Sequence, residues 1–208
     1  MFLVTFWIFL LSIALVVAVR VIHSHQKISV TGNFANSDQV SWMLGKLTVQ
    51  SEGNVTYHRE EFGNERHKNT CNATRVKVLQ SENLGNFKTG RHCKEIHGLW
   101  KSMYDSVTST DPGKHAAQPL QLEHLVPLKE AWQSGALHWR PEKRSAYSND
   151  LDYAPSLMIV SAQSNGSKQD GEPGTGKGNY LPPNTSFTCT YVAEWIAIKW
   201  RWSLSIDE

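Results

Sequence analysis

The stretch LEHLVPLKEAW, residues Leu122 to Trp132, decides how the chain is organised, together with its downstream partner SNDLDYAPSLMIVSAQSNGSK, residues Ser148 to Lys168. The first stretch opens with a short apolar run that includes an adjacent carboxylate and imidazole. The second includes the run LMIV, which is apolar enough for a buried strand. We therefore predict two short strands, at 122–126 and 157–160.

A strand–loop–strand–helix unit can bring four polar side chains of these stretches together: Glu123, His124, Asn149 and Asn165. Carboxylate and amide oxygens bind hard divalent cations, and a neutral imidazole can take a proton from water. The pattern therefore predicts a one-metal nuclease core with Mg²⁺ or Mn²⁺ as its cofactor. Standing alone, however, the Glu123–His124 pair would be an ordinary surface pair.

Length and composition limit the class of protein without choosing its substrate. The 208 residues allow one domain with a real core and are too few for two comfortable ones. Charged residues make up 19% and apolar residues 40%, which excludes a disordered or wholly membrane-embedded chain. A net charge of +2 is compatible with a polyanionic ligand but does not require one.

The first residues are apolar, and 2–19 contain no charged side chain. A membrane-spanning helix needs about 20 such residues, and the apolar part of a signal peptide has about 7–15. Small residues at Val16 and Ala18 favour a signal peptide, whereas the absence of basic residues before the run favours a retained anchor. We predict three segments: a signal peptide or N-terminal membrane anchor at 1–25, a polar tether at 26–39 and a nuclease domain at 40–208.

Export agrees with three N-glycosylation tripeptides, which begin at Asn54, Asn72 and Asn184. Such tripeptides also occur often by chance, and they matter only in a eukaryotic host. We predict a secreted protein that would contact a membrane only through 2–19 if that segment stays uncleaved.

Three cysteines, Cys71, Cys93 and Cys189, allow one disulfide and leave one thiol over. We favour Cys71–Cys93 because both lie in the same loop-rich region, although spacing alone does not decide the pairing. His92 and His97 flank Cys93, but the paired spacing typical of zinc sites is missing, and we do not predict zinc there.

Periodicity and turn signals predict further elements. Pro127 and Pro141 can each open a short helix, and Ser161 is a good N-cap for a helix that carries Asn165 and Lys168. We expect helices at 40–49, 128–133, 141–148 and 188–202, a strand at 74–79, and an irregular segment with one short strand at 53–71. We also expect the tryptophans of the last helix to pack in the core.

Six segments then carry a family resemblance: TYHREEFG, CNATRVKVL, GLWKSMYDSVTSTD, LEHLVPLKEAWQSGA, AYSNDLDYAPSLMIVSAQSNGSK and YLPPNTSFTCTYVAEWIAIKWRW. In this order, from about Met43 to Ile206, they resemble the secreted HNH endonucleases, the GmrSD C-terminal-like group within the ββα-metal nucleases. The resemblance implies an α+β fold with a ββα-metal (His-Me finger) core, flanking helices and a loop-rich N-terminal extension.

The resemblance also implies roles for individual residues. His124 matches the general base, Glu123 and Asn165 match metal ligands, and Asn149 matches a loop residue that braces the loop and steers His124. Lys168 completes the catalytic set with His124 and Asn149 and could meet a phosphate as a point charge. Weaker candidates for contact with substrate phosphate are Arg59, Arg75 and Lys168.

The sequence departs from the family pattern at three places, and these bear on the rate of cleavage and on substrate preference more than on the fold. The family commonly reads Asp-x-Asp-His where this chain has Gln121-Leu122-Glu123-His124. Gly166 and Gln169 stand where the family often has Arg and Gly. The insertion GEPGTGKGN at 171–179 imitates a phosphate-binding loop, but no apolar strand precedes it and Gly178 replaces the hydroxyl residue, so we predict a flexible loop.

The sequence therefore predicts an extracellular, metal-dependent endonuclease that cuts DNA with low sequence specificity. RNA remains open as a second substrate, and so does the oligomeric state. The alternative is a secreted nucleic-acid-binding or surface protein with a degenerate, non-cutting nuclease fold, which Gln121 and Glu123 keep open.

Overall fold

The computed structural model, which describes residues 37–52, 55–64 and 70–207, combines short helices with short antiparallel strands, as predicted for an α+β protein. Its α-helices are α1 Ser37–Leu44, α2 Thr74–Ser81, α3 Leu128–Gln133, α4 Pro141–Ser148, α5 Ala162–Lys168 and α6 Thr188–Trp202. Its strands are β1 Lys88–Thr89, β2 Ile96–His97, β3 Trp100–Lys101, β4 Thr108–Ser109, β5 Leu120–His124 and β6 Leu157–Ser161.

Predictions for the signal peptide or anchor, for most of the tether and for Asn54 lie outside the described residues. Helix α1 begins at Ser37, inside the predicted tether. Within the part of the chain that is described, no helix combines the length and the apolar character that crossing a membrane would need.

Strands β5 and β6 pair antiparallel, with Leu120 opposite Ser161 and His124 opposite Leu157. Both predicted strands are confirmed, and β5 lies two residues earlier than expected, since its first residues pair with the end of β6. The predicted N-cap is also confirmed: Ser161 Oγ accepts a hydrogen bond from Ser164 N at 3.0 Å, and α5 begins at the next residue. Helix α5 therefore lies against the β5–β6 pair.

One buried cluster of the core lies on the other side of this pair. Leu79, Trp100, Leu120, Leu157 and Ile159 form one buried cluster, with Val78 as its sixth member. The Trp100 Nε1 group donates to the Leu79 carbonyl at 2.7 Å, so this buried tryptophan has a partner for its polar atom. These contacts fix α2 and β3 against β6.

The helices opened by proline, α3 and α4, have their predicted bounds, and so does the last helix, α6. The predicted disulfide between Cys71 and Cys93 is confirmed, with the Cα atoms 5.1 Å apart, and Cys189 is free and exposed. Trp195 is buried as predicted for packing, whereas Trp200 and Trp202 are half-buried.

Two predictions were wrong. Residues 74–81 form a helix instead of a strand, because the buried pairs Thr74–Val78 and Val76–Leu79 have helical spacing and six residues fit either period. Helix α1 ends at Leu44, before Gly45, and Leu44 is 43% exposed instead of joining the core face. In the predicted irregular segment 53–71, the described residues contain a 3₁₀ turn, Arg59–Phe62, and the prediction of one short strand there stays untested because 53, 54 and 65–69 lie outside the described residues.

We predict that Ile159→Ala lowers the free energy of unfolding by about 2–5 kcal/mol, because it leaves a cavity in the core. The control Leu84→Ala, at a side chain that is 65% exposed, should change it by less than about 0.5 kcal/mol. Urea unfolding measures both. Equal losses in the two variants would contradict the placement of Ile159 in the core.

Candidate active site

Adjacent residues at the end of β5 point to opposite sides, as expected in a strand. Glu123 faces α5, where Lys168 Nζ donates to Glu123 Oε1 at 2.5 Å and approaches the His124 carbonyl at 3.4 Å. Both charged side chains are buried. Burial raises the pKa of Glu123 and lowers the pKa of Lys168, while each charge favours the ionised form of the other.

His124 faces α4 and is held there by two contacts. Its Nε2 lies 3.0 Å from the Ser148 carbonyl oxygen, and its ring stacks on Tyr147 with 6.3 Å between centroids and 15° between planes. A carbonyl only accepts, so Nε2 carries the proton and Nδ1 keeps the lone pair. Burial lowers the pKa of His124 to about 4, helped by the positive charges of Arg59 and Lys168, so the ring is neutral at neutral pH.

Asn149 lies next to the residue whose carbonyl holds His124. Its Oδ1 accepts from Thr74 Oγ1 at 2.6 Å, and its Nδ2 donates to the Ser145 carbonyl and to Ser148 Oγ, both at 3.0 Å. The structure therefore places Asn149 as a buried link between α2 and the end of α4, in position to fix the loop that orients His124.

Asn165 lies one helical turn before Lys168 on α5, and Gln121 lies two residues before Glu123 on β5. Asn165 Nδ2 donates to Gln121 Oε1 at 2.8 Å. Two side-chain pairs therefore connect the strand to the helix: an exposed amide pair, Gln121–Asn165, and a buried ion pair, Glu123–Lys168. Each pair contains one of the two predicted metal ligands, Asn165 or Glu123.

The two candidate arginines have different surroundings. Arg59 is exposed, lies near enough to lower the pKa of His124, and interacts with Tyr57. Arg75 donates to the carbonyls of Pro112 at 2.7 Å and Leu120 at 3.3 Å, at the other end of β5. The structure thus brings Arg59, but not Arg75, to the His124 end of the strand.

An acidic cluster that the sequence did not predict lies beside α5. Carboxylate oxygens of Glu52, Glu130 and Glu172 lie within 4.8 Å of one another. The buried Lys199 ammonium donates to Glu130, to Ser134 Oγ at 3.1 Å and to the Ser205 carbonyl at 2.9 Å. Its positive charge offsets the negative charge of the three carboxyls. The sequence held one sign of this cluster: Lys199 occupies a position of the last helix whose spacing is that of the apolar, core-facing residues.

The protonation of this cluster is shifted. Burial, together with the hydrogen bond and charge of the neighbouring Glu130, raises the pKa of Glu52 to about 7 and of Glu172 to about 8. Burial acts to raise the pKa of Glu130, but the positive charge of Lys199 and hydrogen bonds with Glu172, Glu52 and Lys199 together lower it. The three carboxyls therefore share protons near neutral pH. They line a cavity of about 510 Å³ together with Lys129, Gln133 and residues 167–171, 178 and 179.

The mixture of helices and small antiparallel sheets is consistent with the predicted α+β class. The family model for the C-terminal domain of GmrSD restriction endonucleases matches residues 75–208, and the chain belongs to that family. An "Uncharacterized secreted protein" of Arthroderma benhamiae is 33% identical over 199 residues, covering 93% of this chain and 90% of that protein. No solved structure matches the chain.

We predict that Glu123→Gln and Lys168→Met each lower the free energy of unfolding by about 3–5 kcal/mol, because each leaves its partner charged, buried and unpaired. The double variant should lose less than the sum of the two, with a coupling energy of about 1–3 kcal/mol by urea unfolding.

The exposed pair Lys129–Asp170, whose side chains are 42% and 52% exposed, is the matched control. A double-mutant cycle of Lys129→Met and Asp170→Asn should give a coupling energy below about 1 kcal/mol, since solvent screens the attraction between exposed charges. A coupling at Glu123–Lys168 no larger than this control would contradict a buried, mutually dependent pair.

A second prediction concerns pH. Glu52 and Glu172 have folded-state pKa values above the ordinary 4.5, so the folded protein holds protons that the unfolded chain has released. Stability from these groups is present below about pH 4.5 and is lost as pH rises to about 8. Thermal melting of the Glu52→Gln, Glu172→Gln variant should vary less over this range than wild type. An unchanged pH dependence would contradict the shared-proton cluster.

Proposed function

We propose that the protein is an extracellular endonuclease that hydrolyses phosphodiester bonds of DNA with one divalent metal ion and low sequence specificity. Its ββα-metal core is the unit β5, β6 and α5. The observation that carries this proposal is the neutral His124, held by the Ser148 carbonyl at the end of β5, directly after the buried carboxylate of Glu123.

His124 is the general base. Donation from Nε2–H to the Ser148 carbonyl fixes the ring and leaves Nδ1 as the atom that takes a proton from the attacking water. Asn149 is a positioning residue, because it fixes the end of α4 that presents this carbonyl. The low pKa of His124 keeps Nδ1 unprotonated over the whole neutral range.

Glu123 and Asn165 would hold the metal, Mg²⁺ or Mn²⁺. Lys168 uses Glu123 Oε1 and Gln121 uses Asn165 Nδ2, so these two contacts leave Glu123 Oε2 and Asn165 Oδ1 as hard oxygen donors. Such a donor set fits a cation that keeps several waters. Bound there, the metal would stabilise negative charge that develops on the scissile phosphate and the leaving oxygen.

The substrate phosphate is assigned first to Arg59, which is exposed and close to His124. Lys168 has no exposed side-chain surface and is bonded to Glu123, so its main role is to keep that carboxylate ionised and in place. Its contact with phosphate remains a weaker proposal. With contacts mainly to phosphates, binding would be salt-sensitive and tolerant of sequence, and RNA is a second substrate to test.

One observation favours the alternative, a secreted nucleic-acid-binding protein that does not cut. Lys168 places a positive charge against the only buried carboxylate of β5, where a catalytic cation would have to compete with it. Glutamate in place of the family's aspartate extends the carboxylate by one methylene and makes this contact.

Secretion is proposed from the name of the Arthroderma benhamiae relative and from the disulfide, which persists in oxidising compartments.

We predict that His124→Ala lowers metal-dependent cleavage by about 10²–10⁴-fold, since it removes the general base. Plasmid nicking and RNA digestion with Mg²⁺, Mn²⁺ or EDTA measure the activity, and far-ultraviolet circular dichroism checks the fold. The matched control is His115→Ala, which removes an exposed histidine outside the strand–helix junction and should leave cleavage unchanged.

Full activity of His124→Ala would refute the assignment of His124 as base. No cleavage by folded wild-type protein with either metal, together with measurable DNA binding, would establish the non-cutting alternative.

A further inference from the structure

One of the short basic segments of the chain lies well before the junction residues in the sequence and is fully described by the structure. Residues 88–97, which include β1, β2 and their connection, contain Lys88, Arg91 and Lys94 and a single acidic residue, Glu95. Their net charge of +2 equals the net charge of all 208 residues, so the rest of the chain is neutral overall. We call this segment the basic hairpin.

The three cations of the basic hairpin are available to a ligand. Lys88, Arg91 and Lys94 are all exposed, and none forms an ion pair with another residue in the part of the chain that the structure describes. The buried cations Lys168 and Lys199 are, in contrast, bonded to carboxylates.

Strand pairing, a core contact and a disulfide hold the basic hairpin in place with Lys88 facing outward. Lys88 pairs with His97 across the strands and Thr89 with Ile96. Ile96 packs against the core cluster, so Lys88 and His97 on the other face point to solvent. The Cys71–Cys93 disulfide ties the connection to the start of α2. A preformed surface loses little conformational entropy when it binds.

A cavity of about 800 Å³ lies between the basic hairpin, α2 and the turn at 111–113. The hairpin contributes His92, Cys93, Lys94, Glu95, Ile96 and His97 to its lining, and α2 contributes Arg75 and Val76. The acidic groups that face it are Glu95 and Asp111. Asp111 Oδ1 already accepts from Gly113 N at 2.8 Å.

The basic hairpin is also connected to the junction through fixed contacts. Arg75 on α2 donates to the carbonyl of Leu120, the first residue of β5, and His124 is the last. A five-residue strand spans about 13 Å. One DNA strand advances about 3.4 Å per phosphate, so about four phosphates cover a distance equal to the length of β5.

We propose that the exposed face of the basic hairpin binds the phosphate backbone of the nucleic acid whose scissile phosphate lies at His124. This inference rests on the proposed function, because it takes nucleic acid as the ligand. The hairpin would act at a distance from the reacting phosphate, and its contribution is to affinity and to the length of substrate that is cut.

The test is binding of a fluorescein-labelled DNA duplex of mixed sequence, by anisotropy in EDTA over about 50–200 mM salt. The triple variant Lys88→Glu, Arg91→Glu, Lys94→Glu should bind about 10- to 100-fold more weakly, and the slope of log affinity against log salt should fall by about 3. The control triple Lys46→Glu, Arg140→Glu, Lys177→Glu makes the same charge change at exposed positions elsewhere and should leave the slope unchanged.

Equal weakening in both triples would show an effect of net charge alone and overturn the proposal, as would unchanged binding in the hairpin triple. A hairpin triple that loses binding to heparin but keeps binding to DNA would assign the surface to an acidic polysaccharide and also overturn it.

Cleavage of bis(p-nitrophenyl) phosphate separates this inference from the proposed function. This substrate is too small to reach the basic hairpin, so the hairpin triple should cleave it at the wild-type rate while cutting long DNA more slowly. Wild-type protein that binds DNA through the hairpin but cleaves neither substrate would refute the nuclease proposal and leave the binding surface in place. Loss of the small-substrate activity in a folded hairpin triple would refute the proposed division of roles.

Discussion

The buried ion pair between Lys168 and Glu123 is the contact on which the strand–helix unit depends. An ammonium and a carboxylate inside a protein each cost several kcal/mol to remove from water, and only mutual contact with good geometry offsets this. Lys168 must therefore end beside Glu123, which fixes both the position of α5 along β5 and its rotation about its own axis. Asn165, one turn earlier, then reaches Gln121, two residues earlier on the strand.

The alternation of side chains along β5 explains why two adjacent residues have such different surroundings. Glu123 points to α5 and is neutralised by a cation, whereas His124 points to α4 and lies against Tyr147 and a carbonyl. A charged carboxylate and a neutral imidazole are the two states that the proposed metal-dependent hydrolysis would require. The contacts that stabilise the fold at these two residues therefore also set their protonation states, and a mutation at either residue would change both.

Local signals in the sequence located much of this arrangement. Pro127, Pro141 and Ser161 mark helix starts through the geometry of a first turn or a cap, and these three elements lie where they were predicted. The prediction of a strand at 74–79 was wrong, because six residues are too few to distinguish the two-residue period of a strand from the 3.6-residue period of a helix. The cluster of Glu52, Glu130, Glu172 and Lys199 comes from four distant segments, and no local pattern links them. Neither could the sequence show that Lys168 faces a carboxylate instead of solvent.

Net charge is a poor guide to the local charge on this protein because its cations lie in two kinds of surroundings. Lys168, Lys199 and Arg144 are buried and bonded to carboxylates, so their charges cancel inside the fold and contribute little to the outer field. The exposed cations of the basic hairpin have no such partners among the described residues, and their field extends about 8–10 Å into physiological salt. A composition that is nearly balanced overall can therefore carry a locally basic surface. Whether a surface can attract a polyanion depends on which cations are left unpaired after others form ion pairs inside the fold. That in turn depends on the three-dimensional arrangement of residues that are far apart in the chain.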